Sequence, residues 1–410
     1  MKIVLLKPNQ FDNFSNIHPL HSYYQTSMYG NLMQKCGYEI HYYGFIDDNN
    51  NLVGASLILE QKLFLSYRFA YAPRGLLIDY DDRDLVIDVT DCLKKYFSKM
   101  KIAFLKIDPP VINHKRDKSG NIIDSDYSND LISFLQGIGY SYYGDNKDFG
   151  TLKPRWNAIL KVTGSSETMF HNLSDSTRNK IRKAQSRGVE VLQGNSNDID
   201  VFYKFVAKKH YRKVNYYRDF SECFGTNMEL YFAKLNTGVY LKNIKRLYEE
   251  EIDKNEKLNI EIQRASNNTK VINSKMTSDK LIAIYKKELI DASRLFEKYP
   301  KGILIGSTAV VIGKHEVSLL IEGFRQDFAL FYPTFLTKWF VIDKYSKLGA
   351  IYFDLNAITG YFGDDNKFKG LNEMKLGYNA DVTEYIGEFD LVINKSVYKL
   401  AKKNKSKFKY

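Results

Sequence analysis

Apolar runs and amphipathic segments alternate along the first half of the chain. Runs rich in aromatic and β-branched residues, which are typical of strands, occupy 41–45, 51–59, 62–71 and 102–107. Segments with helical periodicity occupy 22–35, 82–99 and 130–138. A second region of the same kind follows, with predicted strands at 156–162 and 189–193 and predicted helices at 175–187 and 198–211. This alternation predicts an α/β (α+β) fold in which sheets are covered by helices.

Residues 232–299 have a different pattern. Pro300 is the first proline after residue 231, and the segment is dense in Lys, Glu, Asn and Ile. Apolar residues recur at helical spacing in two stretches, the second of which contains Leu281, Tyr285, Leu289, Ala292 and Phe296. A polar stretch with Asn267 and Asn268 lies between them. We therefore predict an antiparallel, coiled-coil helical hairpin that projects from the second α/β unit.

The α/β pattern resumes after Pro300 and ends in an unusual stretch. A predicted buried strand at 351–355 leads into a polar loop at 356–369, then to a short element around Lys375, and then to a second apolar run at 382–393. A polar loop that is followed by a lysine and flanked by strands indicates the edge of a binding or catalytic site carried by a rigid sheet.

These patterns divide the chain into four predicted parts. Residues 1–150 form a first domain, and residues 151–231 and 300–398 form a second. Residues 232–299 are an inserted hairpin arm, and residues 399–410 are a basic tail.

Charge and cysteine content limit the class of protein further. The 410 residues carry a formal net charge of +12, which favours an anionic partner such as nucleic acid, anionic lipid or a phosphorylated substrate. Three widely separated cysteines, Cys36, Cys92 and Cys223, lack metal-ligand spacing and are typical of idle thiols in a reducing compartment. No apolar stretch is long enough to span a bilayer. We expect a cytosolic protein whose membrane contact, if any, is peripheral.

Four strings in this framework resemble the FemABX family of aminoacyltransferases. They are YAPRGLLID (71–79), TRNKIRKAQSRGVEV (177–191), FYPTFLTKW (331–339) and GLNEMKLGYNADVTEYIGEFDLVINKSVYKL (370–400). The hairpin makes the chain similar to the FemA, FemB and MurM members. The resemblance implies two GNAT-like domains, no metal and no cofactor. It also implies transfer of Gly, Ala or Ser from aminoacyl-tRNA to an amine of lipid II or UDP-MurNAc-pentapeptide.

The resemblance also implies roles for two residues near the C-terminus of the chain. Lys375 matches the lysine that the family places beside the reacting carbonyl, where a cation stabilises the oxyanion. Met374, predicted to contact substrate, stands at the preceding position, where the family has an aromatic residue.

Four further residues are predicted to bind substrate. Arg218 matches an arginine that grips substrate phosphates, although Glu222 replaces the tyrosine that usually follows it. Lys35 lies near the family's phosphate-binding lysine, in a shifted register. Tyr29 is expected to shape the cleft wall, and Arg74 follows a strand in a Pro-Arg-Gly turn.

Other functions stay open from the sequence. An acyl-CoA-dependent GNAT N-acyltransferase would need a pyrophosphate-binding turn, and the sequence lacks a good match to one. A catalytically inactive tRNA- or muropeptide-binding scaffold is compatible with the departures at Met374 and Glu222. A basic helix at 177–188 is expected to be solvated or to contact the tRNA backbone.

Overall fold

A computed structural model describes residues 1–64, 66–123, 129–208, 212–264, 267–364 and 366–403. The strands are β1 Lys2–Leu5, β2 Glu39–Ile46, β3 Leu52–Lys62, β4 Arg68–Ala72, β5 Ile102–Ile107, β6 Ile112–Arg116, β7 Tyr140–Tyr142, β8 Trp156–Lys161, β9 Val189–Gln193, β10 Met228–Leu235, β11 Ile303–Ile312, β12 Glu316–Phe324, β13 Tyr352–Ala357, β14 Asp381–Tyr385 and β15 Phe389–Val392. The helices are α1 Pro8–Ser15, α2 Ser27–Lys35, α3 Arg83–Lys99, α4 Asn129–Gly137, α5 Ser166–His171, α6 Asp175–Ser186, α7 Ile199–Val206, α8 Val214–Phe224, α9 Thr237–Arg264, α10 Thr269–Lys298, α11 Pro333–Lys347, α12 Lys369–Leu376 and α13 Lys395–Lys403.

Two mixed sheets organise these elements. The first has the strand order β1-β2-β3-β4-β5-β15-β7, and with its covering helices it is called the first unit below. The second has the order β6-β14-β8-β13-β12-β11-β10-β9, and with its helices it is called the second unit. The parallel pair β12 and β13 is joined through α11, and its register places Glu316 beside Tyr352 and Ser318 beside Asp354. This architecture, with its inserted helical hairpin, confirms the predicted α/β fold of two sheet-based units.

The two units exchange strands. β6 comes from the first part of the chain but pairs with β14 of the second sheet, whereas β15 comes from the last part and pairs with β5 of the first. The apolar run 382–393 therefore forms two strands in different sheets rather than one. The chain crosses between the sheets at residues 386–388, where Gly387 adopts a φ of +97° that favours glycine.

The hairpin begins later than the sequence indicated. Residues 232–235 lie in β10, which pairs with β9 on one side and β11 on the other, so they are buried sheet rather than helix. Helices α9 and α10 pack along each other, and Asn268 caps the start of α10. At the base, Tyr240, Ile244 and Ala292 are buried in the core of the second unit. The turn residues 265 and 266 lie outside the described residues.

Other local predictions also needed correction. The predicted helix 22–35 is a 3₁₀ turn, Tyr23–Gln25, followed by α2, because the Thr26 side chain accepts a bond from the Tyr29 amide and caps a new helix. Helix α1 was not predicted. Of the basic tail, residues 399–403 belong to α13 and residues 404–410 lie outside the described residues. Within the described part of the chain, no helix combines the length and apolar character needed to cross a membrane.

Candidate functional site

A cleft of about 810 Å³ separates the two units, and we call it the interdomain cleft. One side consists of residues 19–24 and Arg74 of the first unit. The other side consists of the neighbouring second-sheet strands β6, β14, β8, β13 and β12. Because a rigid sheet forms one wall, the side chains on that wall are held in fixed positions.

Two carboxylates lie close together on the sheet wall of this cleft. Glu316 begins β12 and Asp354 lies in β13, and both line the cleft. Burial, together with the charge of Asp354, raises the pKa of Glu316 to about 7. Burial also raises the pKa of Asp354, which accepts bonds of 3.0 and 2.9 Å from the Asn157 amide. Neither carboxylate has an ion-pair partner among the described residues, so this wall is suited to a cationic group.

The predicted residue Arg74 faces the cleft from the first unit. Its guanidinium donates to the Pro154 carbonyl at 2.7 Å and stacks over Tyr385 at 4.6 Å. Its amide donates to Asp108 at 2.6 Å, and burial raises the pKa of Asp108 to about 6. The turn that carries it has a φ of +53° at Arg74. Arg74 therefore has a structural role and also borders the cleft.

The predicted residue Tyr29 belongs to an aromatic cluster beside the cleft. Tyr29 packs edge-to-face against Tyr23 and Tyr24, both of which line the cleft. Its hydroxyl lies 3.2 Å from the Lys153 Nζ. Burial raises the pKa of Tyr29 well above its usual value, so it stays a neutral phenol.

Lys375 and Met374 occupy different faces of α12. Lys375 is 7% exposed, and its Nζ donates to the Ala357 carbonyl at the end of β13 at 2.7 Å. Its charge lowers the pKa of Asp354, although burial outweighs this effect. Met374 faces a separate groove of about 750 Å³, which we call the α12 groove and which is also lined by Lys118, Lys180 and Phe335.

The two remaining predicted residues lie in ion pairs on α2 and α8. Arg218 is half-exposed and donates to Asp200 at 2.6 Å and to Asn215 at 2.7 Å. Lys35 pairs with Glu222 at 2.6 Å. The residue that departs from the family pattern, Glu222, is therefore neutralised by Lys35. Arg218 and Glu222 line a third groove of about 590 Å³, away from the residues that line the interdomain cleft.

One further cluster offers metal-ligand atoms. Ligand atoms of Glu39, His41 and Glu60 lie within 4.8 Å of one another. Arg68 pairs with Glu39 at 2.6 Å and with Glu60 at 3.2 Å, so a guanidinium already supplies positive charge to these carboxylates. The cluster is more simply a salt-bridge network that joins β2, β3 and β4.

The sequence analysis missed Glu316 and Asp354. A signal existed for Asp354, because a carboxylate in the otherwise apolar strand 351–355 is unusual. Glu316 had no such signal, since it stands at the edge of a polar loop.

Comparisons with known proteins agree with this architecture. The model of the FemAB family matches residues 6–406. Aminoacyltransferase FemA from Staphylococcus aureus strain bovine RF122 / ET3-1 is 25% identical over 421 residues, and the match covers 97% of each chain. The same enzyme from strain N315 is 25% identical over 420 residues, with the same coverage. The crystal structure of FemX superposes with a TM-score of 0.74 at 19% identity, covering 98% of this chain and 99% of that one.

Fold, site and relatives together define an enzyme of the aminoacyltransferase class. Its two sheet-based units enclose a cleft, and a buried lysine lies beside that cleft. The chain belongs to the FemAB family.

Proposed function

We propose that the protein transfers an aminoacyl group from tRNA to the stem-peptide lysine amine of a peptidoglycan precursor, in interpeptide bridge synthesis. The observation that carries this proposal is the position of Lys375. It is buried at the end of β13, its charge reaches Asp354 in the interdomain cleft, and its neighbours on α12 line the α12 groove. A donor in the groove and an acceptor in the cleft would meet at this lysine.

The chemistry requires few protein groups. The acceptor amine attacks the ester carbonyl of the aminoacyl-tRNA, a C–N bond forms, and the C–O bond to the ribose breaks. One proton passes to the leaving ribose oxygen, and the acceptor ammonium loses a second to a base or to water. Lys375 stabilises the oxyanion that develops on the carbonyl. Glu316 and Asp354 hold the incoming ammonium, because both are partly buried carboxylates on the cleft wall.

The remaining predicted residues take supporting roles in this proposal. Arg74 and Tyr29 shape the acceptor cleft, and Met374 forms part of the donor groove. Arg218 and Lys35 bind the phosphates of the acceptor by exchanging their present carboxylate partners, Asp200 and Glu222, for the ligand. The acceptor is lipid II or UDP-MurNAc-pentapeptide, and the transferred residue is Gly, Ala or Ser.

Positive charge supports both anionic partners. Lys118 and Lys180 line the α12 groove, where the phosphates of the tRNA acceptor end would pass. The basic tail, residues 399–410, would hold the enzyme peripherally at the anionic inner leaflet, where lipid-linked precursor is found.

A transfer assay tests the proposal. Purified protein is mixed with lipid II, or with UDP-MurNAc-pentapeptide, and with tRNA charged with radiolabelled Gly, Ala or Ser. We expect label to reach one acceptor with the wild type. Lys375→Met should lower kcat by about 10²–10³-fold, the usual cost of removing one oxyanion-stabilising group.

Lys369→Met is the matched control, because Lys369 lies on the same helix but is exposed and paired with Asp364 at 2.6 Å. It should retain activity within a few-fold. Binding of charged tRNA without any transfer would favour the scaffold alternative. Transfer from acetyl-CoA, with none from charged tRNA, would favour the acyl-CoA-dependent alternative.

A further inference from the structure

The side chain of Asn372 joins helix α12 to the loop that follows β13. Its amide oxygen accepts a hydrogen bond from the Thr359 amide at 3.0 Å. Its amide nitrogen donates to the carbonyls of Thr359 at 3.0 Å and of Tyr361 at 3.1 Å. Asn372 and Thr359 are both buried, so a broken bond would leave a polar group without a partner. We call this arrangement of Asn372, Thr359 and Tyr361 the α12 clasp.

Asn372 lies on the same face of α12 as Lys375. The two residues are three positions apart, which makes them neighbours on a helix surface, and they are the buried residues of this helix. Both bind the backbone of residues 357–361, since Lys375 Nζ donates to the Ala357 carbonyl at 2.7 Å. The α12 clasp therefore fixes the loop beside the ammonium of Lys375.

Helix α12 depends on such contacts for its position. It has eight residues, and Phe368 at its start provides no side-chain cap. A helix this short is not stable by itself, so tertiary contacts must hold it. Beyond its end, the Gly377 carbonyl accepts from the Ser174 amide at 2.9 Å. The loop that the clasp binds is itself fixed to the second sheet, because the Ile358 amide donates to the Trp156 carbonyl at 2.9 Å.

We propose that Asn372 is a positioning residue for the transfer reaction, because the α12 clasp holds Lys375 at the end of β13. This inference rests on the proposed function, in which Lys375 stabilises the oxyanion. Such stabilisation requires a cation that is already in place, and a shift of about 1 Å lowers turnover strongly. Both polar atoms of the Asn372 amide are engaged by the backbone, so this residue acts through Lys375 and not on the substrate.

The substitution Asn372→Asp loosens the clasp without leaving a cavity. It keeps the shape of the side chain and the oxygen that accepts from the Thr359 amide. It replaces the amide nitrogen by a second oxygen, which faces the carbonyls of Thr359 and Tyr361. The two carbonyls lose their donor and repel the new carboxylate, so the loop and α12 should separate.

Chemical labelling of lysines measures the position of Lys375 without requiring turnover. Full-length protein is treated with limiting acetic anhydride, and the modified lysines are quantified by mass spectrometry. Lys375 is 7% exposed and should react slowly in the wild type. In Asn372→Asp we expect it to react about 10-fold faster, the effect of losing one to two hydrogen bonds. Lys106, which is buried in β5 and lies 3.0 Å from Asp390, should react at the wild-type rate.

The transfer assay tests whether this position matters for the reaction. Asn372→Asp should lower kcat by about 10–100-fold and change KM for either substrate by less than about 2-fold, because binding groups are untouched. In a Lys375→Met background, Asn372→Asp should lower kcat by no more than about 2-fold further, since residues that act as a unit are not additive.

The matched control is Asn255→Asp, the same substitution at a buried asparagine of the hairpin. The Asn255 amide donates to Ser278 at 3.0 Å and to Asp279 at 2.9 Å. This variant should match the wild type in kcat and in the labelling of Lys375.

Three results would overturn the positioning role. They are an unchanged reaction rate of Lys375 or unchanged kcat in Asn372→Asp, a parallel rise in the labelling of Lys106, and an additive loss of kcat in the double variant. The parallel rise would show general loosening of the fold. Faster labelling of Lys375 alone, in a protein whose wild type transfers nothing, would reject the proposed function and leave the clasp as the group that positions Lys375.

Discussion

Glu384 helps to hold the exchanged strand β6 in the second sheet, so Glu384→Gln should loosen that strand. Glu384 lies in β14, is 3% exposed, and accepts hydrogen bonds from three residues, two in β6 and one just before β8. The donors are Arg116 at 2.6 Å, Arg155 at 2.9 Å and Asn113 at 3.3 Å. The substitution preserves the shape of the side chain but removes the negative charge on which both arginines depend.

The loss of stability in Glu384→Gln depends on Arg155, which the substitution leaves without its buried carboxylate partner. Arg155 is 1% exposed in its side chain, so it cannot regain bulk water when the carboxylate is lost. It keeps Asp145 at 2.9 Å, and that carboxylate is largely exposed. Breaking a buried pair typically costs about 3–5 kcal/mol. Since Asp145 compensates in part, we expect Glu384→Gln to lower the free energy of unfolding by about 2–4 kcal/mol.

Urea unfolding followed by two signals measures this effect. Tryptophan fluorescence reports on the second unit, because Trp156 lies in β8 beside the network, with Arg116 over its ring at 4.9 Å, and Trp339 lies in α11. Far-ultraviolet circular dichroism reports on the whole chain. Agreement between the two midpoints would show that the chain unfolds in one cooperative transition.

The control is Glu250→Gln on the hairpin, where Glu250 and Arg246 form an ion pair at 2.7 Å and both side chains are more than half exposed. Water and salt screen such a pair, so no measurable change is expected. If Glu384→Gln unfolds at the wild-type urea concentration by both signals, Glu384 does not hold the exchanged strand β6 in place.

Two further predictions concern pH and packing. The pKa of Glu316 is about 7 in the folded protein against an ordinary value of 4.5, so folding takes up a proton and stability falls as pH rises from about 4.5 to about 7. Glu316→Gln should remove that fall and raise the melting temperature at pH 8 but not at pH 4. The gain in the free energy of unfolding is at most about 3 kcal/mol. A pH profile of stability that does not change would contradict this. Gly323→Ala places a Cβ 2.2 Å from the Phe205 carbonyl oxygen and should lower the free energy of unfolding in urea by about 1–3 kcal/mol. In the control Gly137→Ala the added Cβ meets nothing within 4 Å, and stability should not change. Equal stability of the two variants would show that the backbone at Gly323 can shift without cost.

Local elements were well predicted because local burial leaves a periodic trace in the sequence. The strand Ile102–Ile107 was predicted with the observed limits, since all six of its residues are buried and its run is uninterrupted. Helix α3 was predicted within one residue, because Asp82 caps it and one apolar face recurs every three to four positions.

Sheet membership was not predicted, because strand pairing joins residues that are far apart in the chain. β6 and β14 pair across more than 260 residues, and no local pattern records which sheet an apolar run will join. For the same reason the end of β10, residues 232–235, was wrongly assigned to the hairpin. The neighbouring strands that bury these residues, β9 and β11, are not evident from the local pattern.

For the candidate site, too, the sequence identified individual residues, whereas their partners were visible only in the structure. Lys375, Arg74 and Tyr29 were identified from strings that resemble a family, and the structure places Arg74 and Tyr29 at the interdomain cleft or beside it. Lys35 and Arg218 were identified in the same manner. Their carboxylate partners appear only when α2, α7 and α8 pack together.

The sequence by itself determined the class of fold, the presence of a hairpin, the family and the excess of positive charge, because these depend on local periodicity, composition and continuous motifs. The tertiary structure alone decided which strands each sheet contains and which charges are neutralised. It also decided that Glu316 and Asp354 share one wall of the interdomain cleft, with Arg74 on the other side. The physical reason is that burial and electrostatic environment are properties of three-dimensional neighbours, and those neighbours lie far apart along the chain.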